Sequence, residues 1–129
     1  MRTKAREVAF ELVFASQFGG ADNGLKSALC KKEKLTQDDI SYCDRVLSLI
    51  EERGAEFSAV IDSRSLAFPE ARLFPADRSI LYVALAEILY MPDIPKAVSV
   101  NEAANIASKF SSEKSATFVS GILSEVEKG

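Results

Sequence analysis

Residues 80–90, Ile-Leu-Tyr-Val-Ala-Leu-Ala-Glu-Ile-Leu-Tyr, constrain this chain more than any other stretch, because Glu87 is their only charge. Strand signals are nearly absent from the sequence: no alternating run of β-branched residues is bounded by turns, whereas helical periodicity recurs throughout. The stretch therefore reads as the body of a helix over about residues 75–90. Pro75 suits its first turn, where a missing N–H costs nothing. A helix that is apolar nearly all round belongs at the buried centre of a bundle. The expected fold is all-α and without a β-sheet, a compact bundle of about seven helices.

The remaining helices are placed by their breakers and caps. A first helix is expected over residues 3–18, stopped by Gly19-Gly20, with Ala5, Val8, Ala9, Leu12 and Val13 as its aliphatic face. A short helix follows around residues 25–31. Thr36 with Asp39 resembles an N-cap signal for a long amphipathic helix with Ile40, Cys43, Leu47 and Ile50 on one side and a kink at Gly54. A hinge spans residues 68–75, around Phe68-Pro69 and Phe74-Pro75. Ser99 and Glu102 have the spacing of a capping box, predicting a helix over 100–110; a last helix is expected over 114–126. These fall into two helical groups, roughly 1–67 and 75–129, packed as one domain over residues 1–129, a length that suits a single domain.

Composition removes whole classes of function. Hydrophobic residues make up 47% of the chain and charged residues 27%, enough apolar material for a real core. No apolar run approaches the ~20 residues needed to cross a bilayer. The amino end has no leader-like apolar segment, so the cytoplasm is the expected location. Histidine is absent, which removes the commonest general base. No Gly-rich phosphate loop or GxSxG motif is present. Asp38-Asp39 and Glu51-Glu52 are neighbours on helices, pointing about 100° apart, and read as solvated faces. Cys30 and Cys43, without histidine, do not make a zinc site and read as free buried thiols. The expectation is a binding protein with no catalytic residue, no metal and no cofactor.

Two features point to what is bound. Arg2, Lys4 and Arg6 occupy residues 1–6 with no acid among them, and Arg2 and Arg6 stack one turn apart. Of the 16 basic residues this leaves 13 elsewhere against 19 acids, a balance of −6, so the chain is not generally basic. The cations read either as a solvated helix end or as a patch for a polyanion. Cations at a helix N-terminus oppose the macrodipole, which favours the polyanion. The second feature is Phe10, Phe14 and Phe18, spaced i, i+4, i+8 roughly opposite the aliphatic face. Either the helix is sandwiched between two neighbours, or the stripe is a contact surface for another protein.

Several segments together resemble the NusB family of bacterial transcription antitermination factors. They are Ala5-Arg6-Glu7 after basic residues, Asp77-Arg78-Ser79-Ile80-Leu81, Ala84-Leu85-Ala86-Glu87, Ile94-Pro95, Val100-Asn101-Glu102-Ala103, Lys109-Phe110, and Phe118-Val119-Ser120-Gly121-Ile122-Leu123. The resemblance covers nearly the whole chain and is most specific in its second half. It implies an all-helical protein that binds boxA-type RNA with the ribosomal protein NusE, within the RNA polymerase antitermination complex that transcribes rRNA. By position, it implies RNA contacts at Arg2, Lys4, Arg6, Lys114 and Phe118, and partner contacts at Phe10, Phe14 and Asp77. Tyr82 stands where arginine is frequent and would stack on a base. Replacing Arg2, Lys4 and Arg6 together is expected to leave the fold intact. The sequence departs from the family pattern at Thr3 and Lys4, where more arginine is usual, at Ala86 for tyrosine and at Ser120 for asparagine. NusB-like domains of RNA cytosine methyltransferases and a purely protein-binding relative are the alternatives. Self-association as a homodimer through the NusE face stays open.

Overall fold

The computed structural model describes residues 2–20, 22–64 and 73–129. They form six helices: α1 (Arg2–Ser16), α2 (Asn23–Lys32), α3 (Gln37–Arg64), α4 (Pro75–Tyr90), α5 (Lys96–Phe110) and α6 (Glu113–Ser124). No strand occurs among the described residues. Most of the expected hinge, residues 68–72, lies outside them.

Helix α4 is the centre, packed against α1, α3, α5 and α6. Every residue from Ser79 to Ile88 is buried, including Glu87. Pro75 takes the first helical turn as expected. Because α4 contacts members of both expected groups, and α1 packs on α3 and α4 alike, the two groups share one continuous core. Ala5, Val8, Ala9, Leu12 and Val13 of α1 are all inside it.

The helix ends show which local signals are self-sufficient. Gly19 adopts a left-handed φ of 74°. The N–H groups of Gly19 and Gly20 then donate to the carbonyls of Ser16 (3.2 Å) and Ala15 (3.0 Å), closing α1. Thr36 and Asp39 form a reciprocal cap at the start of α3: the Asp39 N–H donates to Thr36 Oγ1 at 3.1 Å, and the Thr36 N–H donates to Asp39 Oδ2 at 3.3 Å. Asp22 caps α2 through Leu25 N–H at 2.8 Å.

Three sequence expectations need correction. Helix α3 runs unbroken through Gly54 as one 28-residue helix, and the described helices number six rather than about seven. A single glycine weakens a helix by only about 1 kcal/mol, which flanking burial of Leu49, Phe57 and Ile61 outweighs. The buried seam of α3 runs through Tyr42, Cys43, Val46 and Leu49, leaving Ile40, Leu47 and Ile50 half-buried beside α2. Finally, Ser99 is not an N-cap. Helix α5 begins earlier, at Lys96, because Pro95 fixes φ at −61° and its carbonyl accepts from Val98 (3.0 Å) and Ser99 (3.3 Å). Ser99 and Glu102 are thereby released for partners elsewhere.

Candidate nucleic-acid and protein interface

The first two turns of α1 carry three cations with three different surroundings. Arg2 is partly exposed; its guanidinium lies 4.8 Å from the centre of the Tyr42 ring and 3.0 Å from the exposed Asp38 carboxylate. Lys4 is half-exposed, with Glu7 at 3.6 Å and Glu33 at 3.5 Å, and the charge of Glu7 foremost raises its pKa. Arg6 is only 5% exposed. It clamps Glu87 through Nε (2.7 Å) and Nη2 (3.1 Å), and donates through Nη1 to Glu102 (2.9 Å).

Glu87, the lone charge of the central helix, is the hub of this network. Besides Arg6 it accepts hydrogen bonds from the Tyr42 hydroxyl and from Ser99 Oγ at 2.8 Å. Burial and the adjacent Glu87 carboxylate push the Tyr42 phenol well above its usual range, so it stays protonated as a donor. Thr3 Oγ1 donates to Glu102 at 2.6 Å. Helices α1, α3, α4 and α5 thus meet on one carboxylate. The expectation that Arg6 is a surface phosphate contact is corrected: its charge and donors are engaged by Glu87 and Glu102. Removing it would leave a buried carboxylate uncompensated, so loss of Arg6 is expected to cost stability, against the expectation that the triple replacement leaves the fold intact.

Tyr82 is also corrected. It is 6% exposed, packed edge-on against Phe57 with centroids 6.1 Å apart, and its hydroxyl accepts from Arg78 at 3.3 Å. The Arg78 guanidinium lies 5.0 Å from its ring centre. A ring so covered offers no face to a base. Its aromatic character in a family position of arginine was readable; its packing partner, twenty-five residues away in the chain, was not.

The phenylalanine stripe divides. Phe10 is buried, 5.2 Å from the Phe110 ring and 6.1 Å from Phe14. Phe14 is 37% exposed and Phe18 66%, with their rings 5.3 Å apart. The first is buried between helices as the sandwich reading expects, whereas the other two stay at the surface. Between α1, α2 and α5, Phe14 borders an open groove of about 450 Å³, walled also by Phe10, Glu11, Leu25, Leu29 and Phe110. Burial raises the Glu11 carboxyl in that groove above the usual carboxylate range.

A second depression, of about 340 Å³, brings together Leu73, Phe74, Asp77, Lys114, Ser115 and Phe118. Asp77 is buried; its Oδ2 accepts from Ser115 Oγ at 3.3 Å, and its Oδ1 has no hydrogen-bond partner among the described residues. Burial raises its pKa. Lys114 is exposed and Phe118 half-buried. The two depressions adjoin at the start of α4, since Ala76 lines the first and Asp77 the second. Sequence reasoning assigned no role to Phe74, 73% exposed, or to Lys109 and Phe110. Lys109 reaches Glu7 at 2.9 Å and so ties α5 to the cationic end of α1. Lys109 and Phe110 were visible as a motif, but only the packing of α5 on α1 shows what they face.

Residues 3–128, almost the full chain, match the family model described as NusB family. The chain belongs to the NusB family. Among curated relatives, the transcription antitermination protein NusB of Ruminiclostridium cellulolyticum is 34% identical over 130 residues, covering 99% of this chain and 89% of that one. Its counterpart from Natranaerobius thermophilus is 36% identical over 132 residues, covering 97% and 93%. Among solved structures, T. maritima NusB superposes with a TM-score of 0.89 at 25% identity, covering 100% of this chain and 94% of that one. A structure of the antitermination factors NusB and NusE in complex with dsRNA shares the fold, with a TM-score of 0.83 at 21% identity over 95% and 92% of the chains. The NusB fold is therefore the one built here around α4.

Proposed function

We propose that this chain is a cytoplasmic transcription antitermination factor that binds boxA-type RNA together with the ribosomal protein NusE, acting with RNA polymerase during rRNA synthesis and catalysing no reaction. One observation carries the reading: along α1, a cationic end at Arg2 and Lys4 runs toward an open aromatic groove at Phe14, with the exposed Phe18 ring beside it. Cations suit phosphates, and exposed aromatic rings suit either unstacked bases or the anchors of a protein partner. Asp77 Oδ1, buried and without a donor among the described residues, supplies a position where a partner's N–H can add a hydrogen bond. Lys114 and Phe118 border the same depression and extend the contact toward RNA.

A second reading has its own support. With Arg6 held by Glu87, the amino end offers two cations rather than three, which favours a factor that leans on its protein partner for RNA affinity. Gel-shift titration with boxA-type RNA, with and without NusE, tests both. Binding by the chain alone supports the first reading, and binding only in the NusE complex supports the second. No shift under either condition, with a NusE complex still forming, leaves a protein-binding relative. Sedimentation across a concentration series tests whether the chain instead pairs with a second copy of itself through this face, a homodimer that NusE would then dissociate.

A further inference from the structure

The carboxyl end of α2 holds a second group of cations that the amino-terminal patch does not account for. Lys31, Lys32 and Lys34 are exposed around Glu33, and Glu33 lies 3.5 Å from Lys4 of α1. That contact sets the end of α2 beside the cationic first turn. Lys32 and Lys109 both lie within electrostatic reach of Glu11, so the α2 end, α1 and α5 share one surface. Lys31 instead lines a separate depression with Asn23, Lys26 and Ile40. Lys4 and Lys109 are each paired with an acid, whereas Lys32 and Lys34 have no carboxylate within ion-pair distance among the described residues.

Lysines in the last turn of a helix are stabilised by its dipole, and that alone would explain Lys32. It does not explain Lys34. Helices α1 and α2 end in the same hydrogen-bond pattern: the Lys34 N–H donates to the Lys31 carbonyl at 3.1 Å and the Leu35 N–H to the Cys30 carbonyl at 3.0 Å, as Gly19 and Gly20 do with Ser16 and Ala15. In α1 the left-handed position is glycine, φ 74°; in α2 it is Lys34, φ 54°, the one non-glycine residue with positive φ among those described. A side chain there is disfavoured, and glycine is the residue such a position ordinarily takes. Strained backbone positions cluster at ligand-binding sites, and here the strained residue carries an exposed cation.

We propose that Lys32 and Lys34 extend the RNA surface, contacting phosphates of single-stranded RNA that continues past the amino end of α1 across the carboxyl end of α2. This rests on the RNA-binding reading above. Phosphate contacts carry no sequence information, so this extension lengthens the bound RNA without altering which bases are read.

The test is the salt dependence of binding for a boxA-type RNA lengthened at both ends by uridines, measured with the NusE complex. Lys34→Gly removes the charge while relieving the backbone, so it should melt at or above the wild-type temperature. Lys34→Gly combined with Lys32→Gln should lower the log–log salt slope by ~0.7 for each phosphate no longer neutralised, up to two of them. The reduction should vanish on an RNA trimmed of the added uridines. An unchanged slope in this double variant, while Arg2→Ala and Lys4→Ala lower it, overturns the extension and leaves the RNA-binding reading standing. A wild-type complex that binds neither RNA overturns both.

Discussion

Arg2 and Arg6 are one helical turn apart on α1, and so are Phe10 and Phe14, yet the members of each pair meet opposite fates. Arg2 stays at the surface while Arg6 is drawn into a buried network; Phe10 is sealed under Phe110 while Phe14 stays open. Spacing of i, i+4 places residues on one stripe, but depth along the stripe is set by the elements that cross it. Near Arg6 those are α4 and α5, which present Glu87 and Glu102. Beyond Phe10 the described residues cover the stripe only in part, and at Phe14 it opens into the groove.

Single substitutions break each pair apart. The largest effect is expected at the buried arginine: Arg6→Ala should cost about 3–5 kcal/mol, because Glu87 is left buried without its cation. Arg2→Ala should cost at most about 1 kcal/mol, as surface pairs do. Urea denaturation of the two variants measures this, and equal losses would refute the division. Next, Phe10→Ala should cost about 3 kcal/mol as a core cavity. Phe14→Ala should stay folded and lose NusE binding instead; a badly destabilised Phe14→Ala that still binds NusE would reverse the assignment.

At the cationic end, Arg2→Ala and Lys4→Ala should leave the melting transition in place and each reduce the salt slope of RNA binding by ~0.7. The smallest effect concerns Asp77. Its pKa is raised in the folded state, mainly by burial. The folded chain therefore holds that proton more tightly than the unfolded one. The resulting stabilisation is fully present below the unfolded value near 3.8 and is lost as pH rises through the raised value. Asp77→Asn should remove this dependence from the stability–pH curve, and NusE should bind the variant more weakly.

Residues whose role is decided within one or two turns of helix were legible in the sequence. The breadth of apolar residues in 80–90 demanded a buried centre, Gly19 marked the end of α1, and Thr36 with Asp39 capped α3. Ser99 and Glu102 carry an equally good local signal, but Pro95 starts the helix a turn earlier and Glu87 and Arg6 claim their side chains. Arg6 and Tyr82 failed for the same reason: each was read by residue type and position, while Glu87 and Glu102 for the one and Phe57 for the other stand far away in the chain. The candidate site was legible as two separate features of α1. Its second depression, joining the start of α4 to α6, needed the fold to appear.

The Glu87 hub also changes how the end of α1 moves. Terminal helical turns ordinarily fray, opening at a free energy near zero and exchanging their amide hydrogens quickly. Here the second turn of α1 is fastened through Arg6 to α3, α4 and α5 at once, so the turn before it has no loose neighbour. The amides of Val8, Ala9 and Phe10 should open only with the whole core. Arg2 and Lys4 are then displayed from a rigid base, and a ligand that meets them has little backbone ordering entropy left to lose.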